Sequence, residues 1–491
     1  MKTFGSSATL IAFFLCGAVY AERIVWYVHP DSTLNTIQAG LDSCNDYDVV
    51  LVGPGLYIEN VIWPNTQGIH LISELGPEMT IIDGDSIDRV LTISADVETT
   101  TIIYGFTIQR GYSTYGAGVF LSSGASPAFV NNIIKENVAG GTFVFSRGAG
   151  LFCDSACSPI IANNIITSNR SGGLETAGGG IFCRHSSAII INNDITENIA
   201  SAGFTAYGGG IYCEHSSIMI SDNNITCNIA QAGSEAYGGG ICCIDSSSPV
   251  IVGNTFYDNE YDDISCLQYS SPTVDSCMME KGVSLVSYSS PTIRNCSIDS
   301  GSICCQFNCS PMIENCSIRY GSMFGIYCAH GSNAIIHSCD IHNNNNVGIL
   351  CRFASTPIIN NCSIYDNISY GVENQDSTVL VNAENNWWGD STGPYHPDSN
   401  PGGLGDTVSD WVDFIPWLYW PGIEDRPTMT PVTQSNFVRA TICSGPLIFP
   451  KGKTCRVFDI TGRVVEPDKI APGIYFVEIS GQIVQKLIKL R

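Results

Sequence analysis

The chain has 491 residues, a formal net charge of −24, only 14% charged residues, 49 glycines and 22 cysteines. This length is enough for a large core, and the low charged fraction with abundant glycine suits a solenoid. The negative charge argues against a nucleic-acid partner, and against a polyanionic ligand unless a cation bridges the two.

The first 21 residues have the pattern of a secretory signal peptide. Lys2 precedes an apolar stretch, and Val19 and Ala21 mark a cleavage site. Leu15 before Cys16 is a poor match to a lipoprotein cleavage box. We therefore expect a cleaved signal over residues 1–21 and a mature chain that is secreted or attached to the outer surface. No later stretch of sequence has the length and apolarity of a transmembrane segment.

The segment "STLNTIQAGLDSC" predicts a short amphipathic helix at the start of the mature chain. Leu34, Ile37 and Leu41 fall on one face of that helix. A helix at this place would cap the first strands of a solenoid and protect them from edge pairing.

Between Pro127 and Ile364 the sequence repeats ten times, with a period of 19 to 32 residues. Three ranks of apolar residues recur at fixed positions in every turn. One rank consists of Phe129, Ile161, Ile190, Ile220, Ile251, Val274, Ile293, Ile313, Ile336 and Ile359. Repeats of this kind bury their apolar faces only when neighbouring turns stack on one another.

Each turn is typical of three short strands separated by Gly or Asn, with no room for a helix. Parallel strands stacked about 4.8 Å apart would wind into a solenoid. We therefore predict an all-β fold, a right-handed parallel β-helix with caps over residues 22–421. A corner rank of Asn and Gly residues, from Asn137 to Asn367, is expected to adopt the left-handed backbone conformation.

Four consecutive turns carry an insertion at one corner. The interval from the corner rank to the next apolar rank is 12 to 14 residues in these turns and one to five residues in later turns. We expect the inserted segments to stack into a ridge or one wall of a groove. Among their side chains, Glu175, Tyr207, Glu235 and Tyr237 are candidates for glycan binding.

Beside this corner, one outward strand face carries side chains in register, and we call it the predicted strip. The predicted strip consists of Phe152, Asp154, Phe182, Arg184, His185, Tyr212, Glu214, His215 and Asp245. Its flat rings and charged groups are what glycan recognition requires. The alternative is that the rings pack under the inserted segments and the charges form an ordinary surface ladder.

The same strip contains the groups of a possible lyase. His185 or His215 would be the base, Arg184 would neutralise a uronate, and Asp245 would complete the set. No cofactor is expected, except calcium if the ligand is an acidic polysaccharide.

Most cysteines occupy two inward ranks. One rank is Cys153, Cys183, Cys213, Cys243, Cys266, Cys305, Cys328 and Cys351, with Leu121 and Leu285 in the same register. The other is Asn132, Asn164, Asn193, Asn223 and Asn254, followed by Cys277, Cys296, Cys316, Cys339 and Cys362. Because leucine replaces cysteine, we expect stacked buried thiols. Cross-turn disulfides stay open, since adjacent Cα atoms fall within bridging distance. No metal site is predicted, because no compact thiol pair is matched by a second pair.

Several segments resemble known families. "DVVLVGPGLYIENV", "TIIDGDS" and "IIYGFTIQRG" are similar to the opening of pectin-lyase-like β-helix proteins, and "NAENNWWGDSTGP" and "VDFIPWL" to their closing turns. The resemblance implies that Trp387, Trp388 and Trp417 cover the end of the core. "GGGIYC" and "ITENIA" resemble repeats of polymorphic outer membrane adhesins.

A Pro/Thr-rich linker over residues 422–436 precedes a different module at 437–491. "CRVFDITGRVV", "PGIYFVEI" and the basic end resemble the C-terminal sorting domain of type IX secretion, although the Pro-Asn-Pro opening of that family is missing. The resemblance implies a small β-sandwich that engages secretion machinery. A plain C-terminal β domain is the alternative.

No complete signature of a polygalacturonase, alginate epimerase or pectate lyase is present in the sequence. We therefore predict a secreted or surface-displayed protein that binds an extracellular glycan or a cell-surface component without catalysis. Two alternatives stay open: a polysaccharide lyase or glycoside hydrolase acting at the predicted strip, and a purely structural envelope protein.

Overall fold

The computed structural model describes residues 23–141, 145–421, 440–443, 455–459, 464–466, 473–479 and 482–489. These residues divide into two compact units, one of which spans residues 25–421. The signal segment, residues 1–21, and the linker, residues 422–436, lie outside the described residues. Within the described part of the chain, no helix is long and apolar enough to cross a bilayer.

The N-terminal cap is the helix Ile37–Asp42, as predicted. Thr36 is its N-cap residue, and the Glu59 carboxylate accepts hydrogen bonds from the backbone N–H groups of Ile37 and Gln38 at 2.8 and 3.0 Å. These acceptors satisfy donors that the first turn of a helix leaves without an intrahelical partner. Ile37 and Leu41 are fully buried against the first strands, so the helix covers that end of the core.

Three long parallel sheets form the sides of the larger unit. Sheet A consists of Val25–Val28, Val49–Val52, His70–Ser73, Ile102–Tyr104, Ala128–Val130, Ile160–Ala162, Ile189–Ile191, Met219–Ser221, Val250–Val252, Thr273–Asp275, Thr292–Arg294, Met312–Glu314, Ile335–His337, Ile358–Asn360, Val381–Asn382 and Val412–Asp413. Sheet B consists of Gly55–Ile58, Thr80–Asp83, Thr107–Gln109, Ile133–Lys135, Ile165–Thr167, Asp194–Thr196, Asn224–Thr226, Thr255–Tyr257, Met278–Met279, Ser297–Asp299, Ser317–Arg319, Asp340–His342 and Ser363–Tyr365. Sheet C consists of Val61–Ile62, Leu91–Ile93, Val119–Leu121, Leu151–Cys153, Ile181–Arg184, Ile211–Glu214, Ile241–Ile244, Ile264–Leu267, Gly282–Val286, Ser302–Gln306, Phe324–Ala329, Val347–Cys351 and Tyr370–Asn374.

Along the chain, successive strands belong to sheet A, sheet B and sheet C in turn, and each strand pairs with the equivalent strand of the neighbouring turn. The register confirms the predicted ranks: Phe129 pairs with Ile161, and Ile161 with Ile190. All three side chains are fully buried. The chain therefore winds into a parallel β-helix whose core consists of columns of like residues, as predicted.

The predicted backbone role of the corner asparagines is wrong. Among the ten ranked residues from Asn137 to Asn367, only Gly282 has a positive φ. The left-handed residue is instead the one before each asparagine, such as Glu136 with φ of 54° and Ser168 with φ of 56°. This turn directs each asparagine side chain into the interior, where it hydrogen-bonds to the next turn.

The interior asparagines form hydrogen-bonded columns. In one column the backbone N–H and the Nδ2 of Asn193 both donate to Oδ1 of Asn223, at 2.9 and 3.0 Å, and Asn223 repeats this pattern with Asn254 at the same distances. Each side chain therefore supplies a donor and an acceptor to a site that water cannot reach. A second column runs from Asn137 to Asn259.

Cysteine continues the first column where asparagine ends. The backbone and the side chain of Asn254 interact with the Cys277 sulfur, and the Cys277 thiol lies 3.7 Å from the Ile251 carbonyl. Cys277, Cys296, Cys316, Cys339 and Cys362 are all buried, as are the eight cysteines of the other rank. The structure has all of them as free thiols, in agreement with the predicted stacked thiols. Burial raises the pKa of the Cys277 thiol well above its usual value.

Cys277 occupies the position that asparagine holds in the preceding turns of the column. Cys277→Asn is therefore expected to change the free energy of unfolding by less than about 1 kcal/mol, because the new side-chain amide can donate and accept as the other asparagines of the column do. Cys277→Val is expected to cost about 1 to 3 kcal/mol, because valine can neither interact with the buried polar groups of Asn254 nor donate to the Ile251 carbonyl. Urea denaturation of both variants measures the difference. Equal stability of the two would show that the sulfur acts only as an apolar filler.

At the C-terminal end a third column terminates on a carboxylate. Asn344 Nδ2 donates to Asn367 Oδ1 at 2.8 Å, and Asn367 Nδ2 donates to Asp406 Oδ2 at 2.8 Å. Trp388 is fully buried here and Trp417 packs against the core, as the predicted closing cap requires, while Trp387 is half-buried. Burial raises the pKa of Asp406 to about 6 in spite of the hydrogen bonds from Asn367.

A raised carboxyl pKa destabilises the fold at neutral pH, because the folded protein must bury the charge. The contribution of Asp406 is present below its usual pKa of 3.8 and is lost as the pH rises through about 6. Asp406→Asn is therefore expected to raise the free energy of unfolding by about 1 to 3 kcal/mol at pH 7.5 and to change it little at pH 3.5. Urea midpoints at both pH values measure this, and an equal effect at both would contradict it.

The inserted segments form a fourth parallel sheet, sheet D, rather than loops. Sheet D consists of Tyr112–Ser113, Val138–Gly140, Phe145–Arg147, Arg170–Ala177, Ile199–Tyr207, Ile229–Ala232 and Glu235–Tyr237. The predicted stacking at one corner is thus confirmed. Near the closing cap, Pro394–Tyr395 and Gly405–Thr407 form a separate two-stranded sheet.

The described strands of the C-terminal part form a single five-stranded sheet. In sheet order they are Ala440–Cys443, Gln482–Lys489, Gly473–Ile479, Cys455–Asp459 and Val464–Val465. The first pair is parallel and the others are antiparallel. The described residues thus form one sheet, and the predicted β-sandwich and its sorting role stay predictions.

Candidate functional site

The predicted strip lies where strands of sheet C end and turn towards sheet A. Arg184 and Glu214 are the last residues of their strands and are paired in register, while Asp154 follows the strand Leu151–Cys153. His185 and His215 come one residue later and are exposed, in left-handed turns with φ of 47°. The repeat therefore places the charged residues and the histidines in adjacent columns along one corner.

The three aromatic rings of the predicted strip, Phe152, Phe182 and Tyr212, are buried, which corrects the expectation of an open sugar-binding face. Phe182 is 0% exposed, Phe152 2% and Tyr212 6%. The three rings stack with centroids 4.9 and 5.0 Å apart. Tyr207 and Tyr237 of sheet D pack against this cluster. The rings therefore join sheet D to sheet C, which is the alternative that the sequence left open.

The glycan-binding candidates on sheet D lie on the outer side of the cluster formed by Phe152, Phe182 and Tyr212. Tyr207 and Tyr237 are half-buried, stacked at 5.8 Å, and the Tyr237 hydroxyl donates to Glu235 at 3.1 Å. Burial, followed by the charge of Glu175, raises the pKa of Tyr207 to about 12. Glu175 and Glu235 occupy the same column of sheet D, two strands apart, with Thr205 between them. These side chains lie away from the histidines of the corner.

Arg184 is already engaged by a carboxylate. Its Nε and Nη2 donate to Asp154 Oδ1 at 3.1 and 2.7 Å. Partial burial opposes ionisation of Asp154, but the hydrogen bonds and charge of Arg184, with Ser155, outweigh it and hold the pKa of Asp154 below its usual value. Arg184 is thus neutralised by its neighbour and is not a free cation for a uronate.

The two histidines contact each other rather than Arg184. The rings of His185 and His215 are stacked, with centroids 4.8 Å apart, and His215 Nε2 lies 3.9 Å from Asp245 Oδ2. Ligand atoms of Glu214, His215 and Asp245 all lie within 4.8 Å of one another, so that this group could hold a metal ion. Arg147 Nη1 stands 3.9 Å from Glu214 Oε2 and would compete with a cation there. Calcium stays a prediction tied to an acidic ligand.

The same corner carries a row of exposed rings in later turns that the sequence analysis missed. We call this row the aromatic ladder: it consists of Tyr269, Tyr288, Phe307, His330 and Phe353. Tyr269 and Tyr288 stack at 5.2 Å, Phe307 and His330 at 4.6 Å, and His330 and Phe353 at 4.5 Å. Because sheet D ends before these turns, none of its strands covers them.

The sequence contains the signal that would have found this ladder. His185 and His215 each stand two residues after an inward cysteine, and Phe307, His330 and Phe353 have the same spacing from Cys305, Cys328 and Cys351. The two tyrosines stand three residues after Cys266 and Leu285. Extending the histidine column by the cysteine register therefore predicts Phe307, His330 and Phe353, while the two tyrosines lie one residue beyond that register.

Comparison with known proteins supports the fold. A family model described as a right-handed beta helix region matches residues 149–300 and 276–392, which supplies the hand of the solenoid. No curated protein matches the chain. Among solved structures, a PL6 family polysaccharide lyase from Pseudopedobacter saltans is 11% identical with a TM-score of 0.36, and the alignment covers 82% of this chain and 94% of that chain. A likeness this low carries no argument about function.

Proposed function

We propose that this right-handed parallel β-helix is an exported protein that binds an extracellular glycan and performs no chemistry on it. The observation that carries the proposal is the continuous exposed corner after sheet C, which we call the corner strip. The corner strip consists of His185, His215, Asp245 and the five residues of the aromatic ladder. It offers rings together with imidazole and carboxylate groups.

The geometry of the corner strip suits an extended ligand. One side chain is presented per turn, and turns of a β-helix repeat about every 4.8 Å, close to the length of one sugar residue. Sugar C–H groups pack on rings, while hydroxyls hydrogen-bond to the polar groups between them. A linear glycan lying along the solenoid axis would thus meet a ring or a hydrogen-bonding group at each turn.

The absence of catalysis in the proposal rests on the pairing of Arg184. A lyase needs a cation for the uronate carboxylate next to a base. Here Arg184 is bound to Asp154, and the exposed histidines stack on each other. The residues named as a catalytic set therefore lack a free cation beside the base.

Incubation of the full chain with a panel of plant, algal and bacterial polysaccharides tests the proposal. We expect binding without new reducing ends or unsaturated products, and we expect Arg184→Ala to keep that binding. Turnover that Arg184→Ala abolishes would favour the lyase alternative. Failure to bind any glycan would favour a structural role.

A further inference from the structure

We propose that the aromatic ladder is the binding surface within the corner strip and that its ligand is an uncharged linear polysaccharide. This inference rests on the proposed glycan-binding function and adds the class of glycan. It moves the site away from the predicted strip, because the aromatic ladder begins one turn after Asp245, the last residue of that strip.

The exposure of the rings is the first support. Tyr269 is 62% exposed, Tyr288 51%, Phe307 45% and Phe353 55%, although each ring stacks on a neighbour. Aromatic side chains that serve only packing are buried by the protein itself, as Phe182 is. A row of exposed rings in successive turns is typical of a ligand-binding surface.

The row contains a step that frees ring faces. Ser287 is level with Phe307, and Tyr288 is level with Asn308, so that the column of rings shifts by one residue between these turns. Ring contacts join Tyr269 to Tyr288 and Phe307 to His330, and none joins Tyr288 to Phe307 in this part of the structure. One face of Phe307 therefore looks onto Ser287, and one face of Tyr288 looks onto Asn308. A sugar ring can stack on either face beside a side chain that hydrogen-bonds.

Local charge selects the class of glycan. The five corner segments, residues 267–272, 286–291, 306–311, 329–333 and 352–356, contain no Asp or Glu, and Arg352 is their one Lys or Arg. Asp245 lies one turn before the ladder, and Asp376 accepts a hydrogen bond from Ala354 at its far end. A polyanion would meet one arginine between flanking carboxylates, on a chain of net charge −24. A neutral glycan meets no such repulsion.

A hydrogen-bonded column beneath the ladder fixes its geometry. The backbone N–H of Ser247 donates to Ser270 Oγ at 3.2 Å, and that of Ser332 to Ser355 Oγ at 3.1 Å. Ser270, Ser332 and Ser355 are fully buried directly below the exposed rings. The backbone that carries the rings is thus fixed by these hydrogen bonds, and stacking orders the rings themselves, which lowers the entropy cost of binding.

Titration of the full chain with six-residue oligosaccharides tests the inference. The uncharged probes are the hexasaccharides of cellulose, xylan, mannan and starch, and the acidic probes are hexagalacturonate and hexamannuronate with calcium. We expect one or more neutral probes to bind, with an affinity that hardly changes with salt. The double variant Tyr269→Ala/Tyr288→Ala is expected to lose about tenfold or more in affinity, because two ring surfaces are removed.

The control is Tyr257→Ala, since Tyr257 is also 62% exposed but belongs to sheet B. It is expected to bind like the unmodified protein. Binding of the acidic probes alone, or neutral binding that survives loss of Tyr269 and Tyr288, would overturn the inference and leave the proposed function standing. Binding of none of the probes, together with no binding in the polysaccharide panel, would overturn the proposed function itself.

Discussion

Replacement of Phe182 by alanine is expected to lower the free energy of unfolding by about 3 to 5 kcal/mol while glycan binding under native conditions is retained. The ring is fully buried between Phe152 and Tyr212, and the Arg147 guanidinium lies 5.3 Å from its centroid. Its loss opens a cavity between sheets C and D, where neighbours in two rigid sheets cannot collapse. Denaturant unfolding and a binding titration on the same preparation measure the two effects.

Phe204→Ala is the matched control, because Phe204 lies in the inserted strand Ile199–Tyr207 but is 60% exposed. It is expected to change stability by no more than about 0.5 kcal/mol. If Phe182→Ala kept its stability and lost glycan binding, the ring would be part of the recognition surface, as first predicted from the sequence.

Asn223→Ala is expected to cost about 2 to 4 kcal/mol. Asn223 Oδ1 accepts two hydrogen bonds from Asn193, and its own amide donates to Asn254 Oδ1 and to the Ile190 carbonyl, both at 3.0 Å. Alanine leaves the backbone N–H of Asn193 buried without an acceptor. The midpoint of urea unfolding measures the loss, provided that the denaturant dependence is unchanged.

The neighbouring Asn224 provides the control for this variant. It is exposed on sheet B, and its side chain is outside the column. Asn224→Ala is expected to change stability by no more than about 0.5 kcal/mol. Equal losses for both variants would show that the amide column contributes nothing beyond local backbone preference.

The fold could be predicted because the repeat fixes every inward position. The rank from Phe129 to Ile359 has no polar member, and a column of like residues has one arrangement that buries it. The residue types alone predict the left-handed corner one residue too late. Propensity alone cannot separate two adjacent polar residues, and the choice depends on which side chain, Glu136 or Asn137, reaches the next turn inside the solenoid.

The site is harder to predict than the fold, because the exposure of an outward side chain depends on the inserted strands, whose position the repeat of sheets A, B and C does not give. Phe152 and Phe182 point outward from sheet C, as the alternation indicates, yet sheet D lies over them. Tyr269 and Tyr288 lie beyond the ends of their sheet C strands, at the corner where His185 and His215 are also exposed, and no described strand of sheet D covers them. Which of the two outward aromatic columns is open therefore depends on which of them the inserted strands cover.

Hydroxyl-radical footprinting of the full chain, with and without a neutral polysaccharide that it binds, tests the central claim most directly. We predict that the ligand protects Tyr269, Tyr288, Phe307 and Phe353, and leaves Tyr257 and the sheet D residues Tyr207 and Tyr237 unchanged. Protection of Tyr207 and Tyr237 with no change along the aromatic ladder would contradict the account and return the binding surface to the predicted strip.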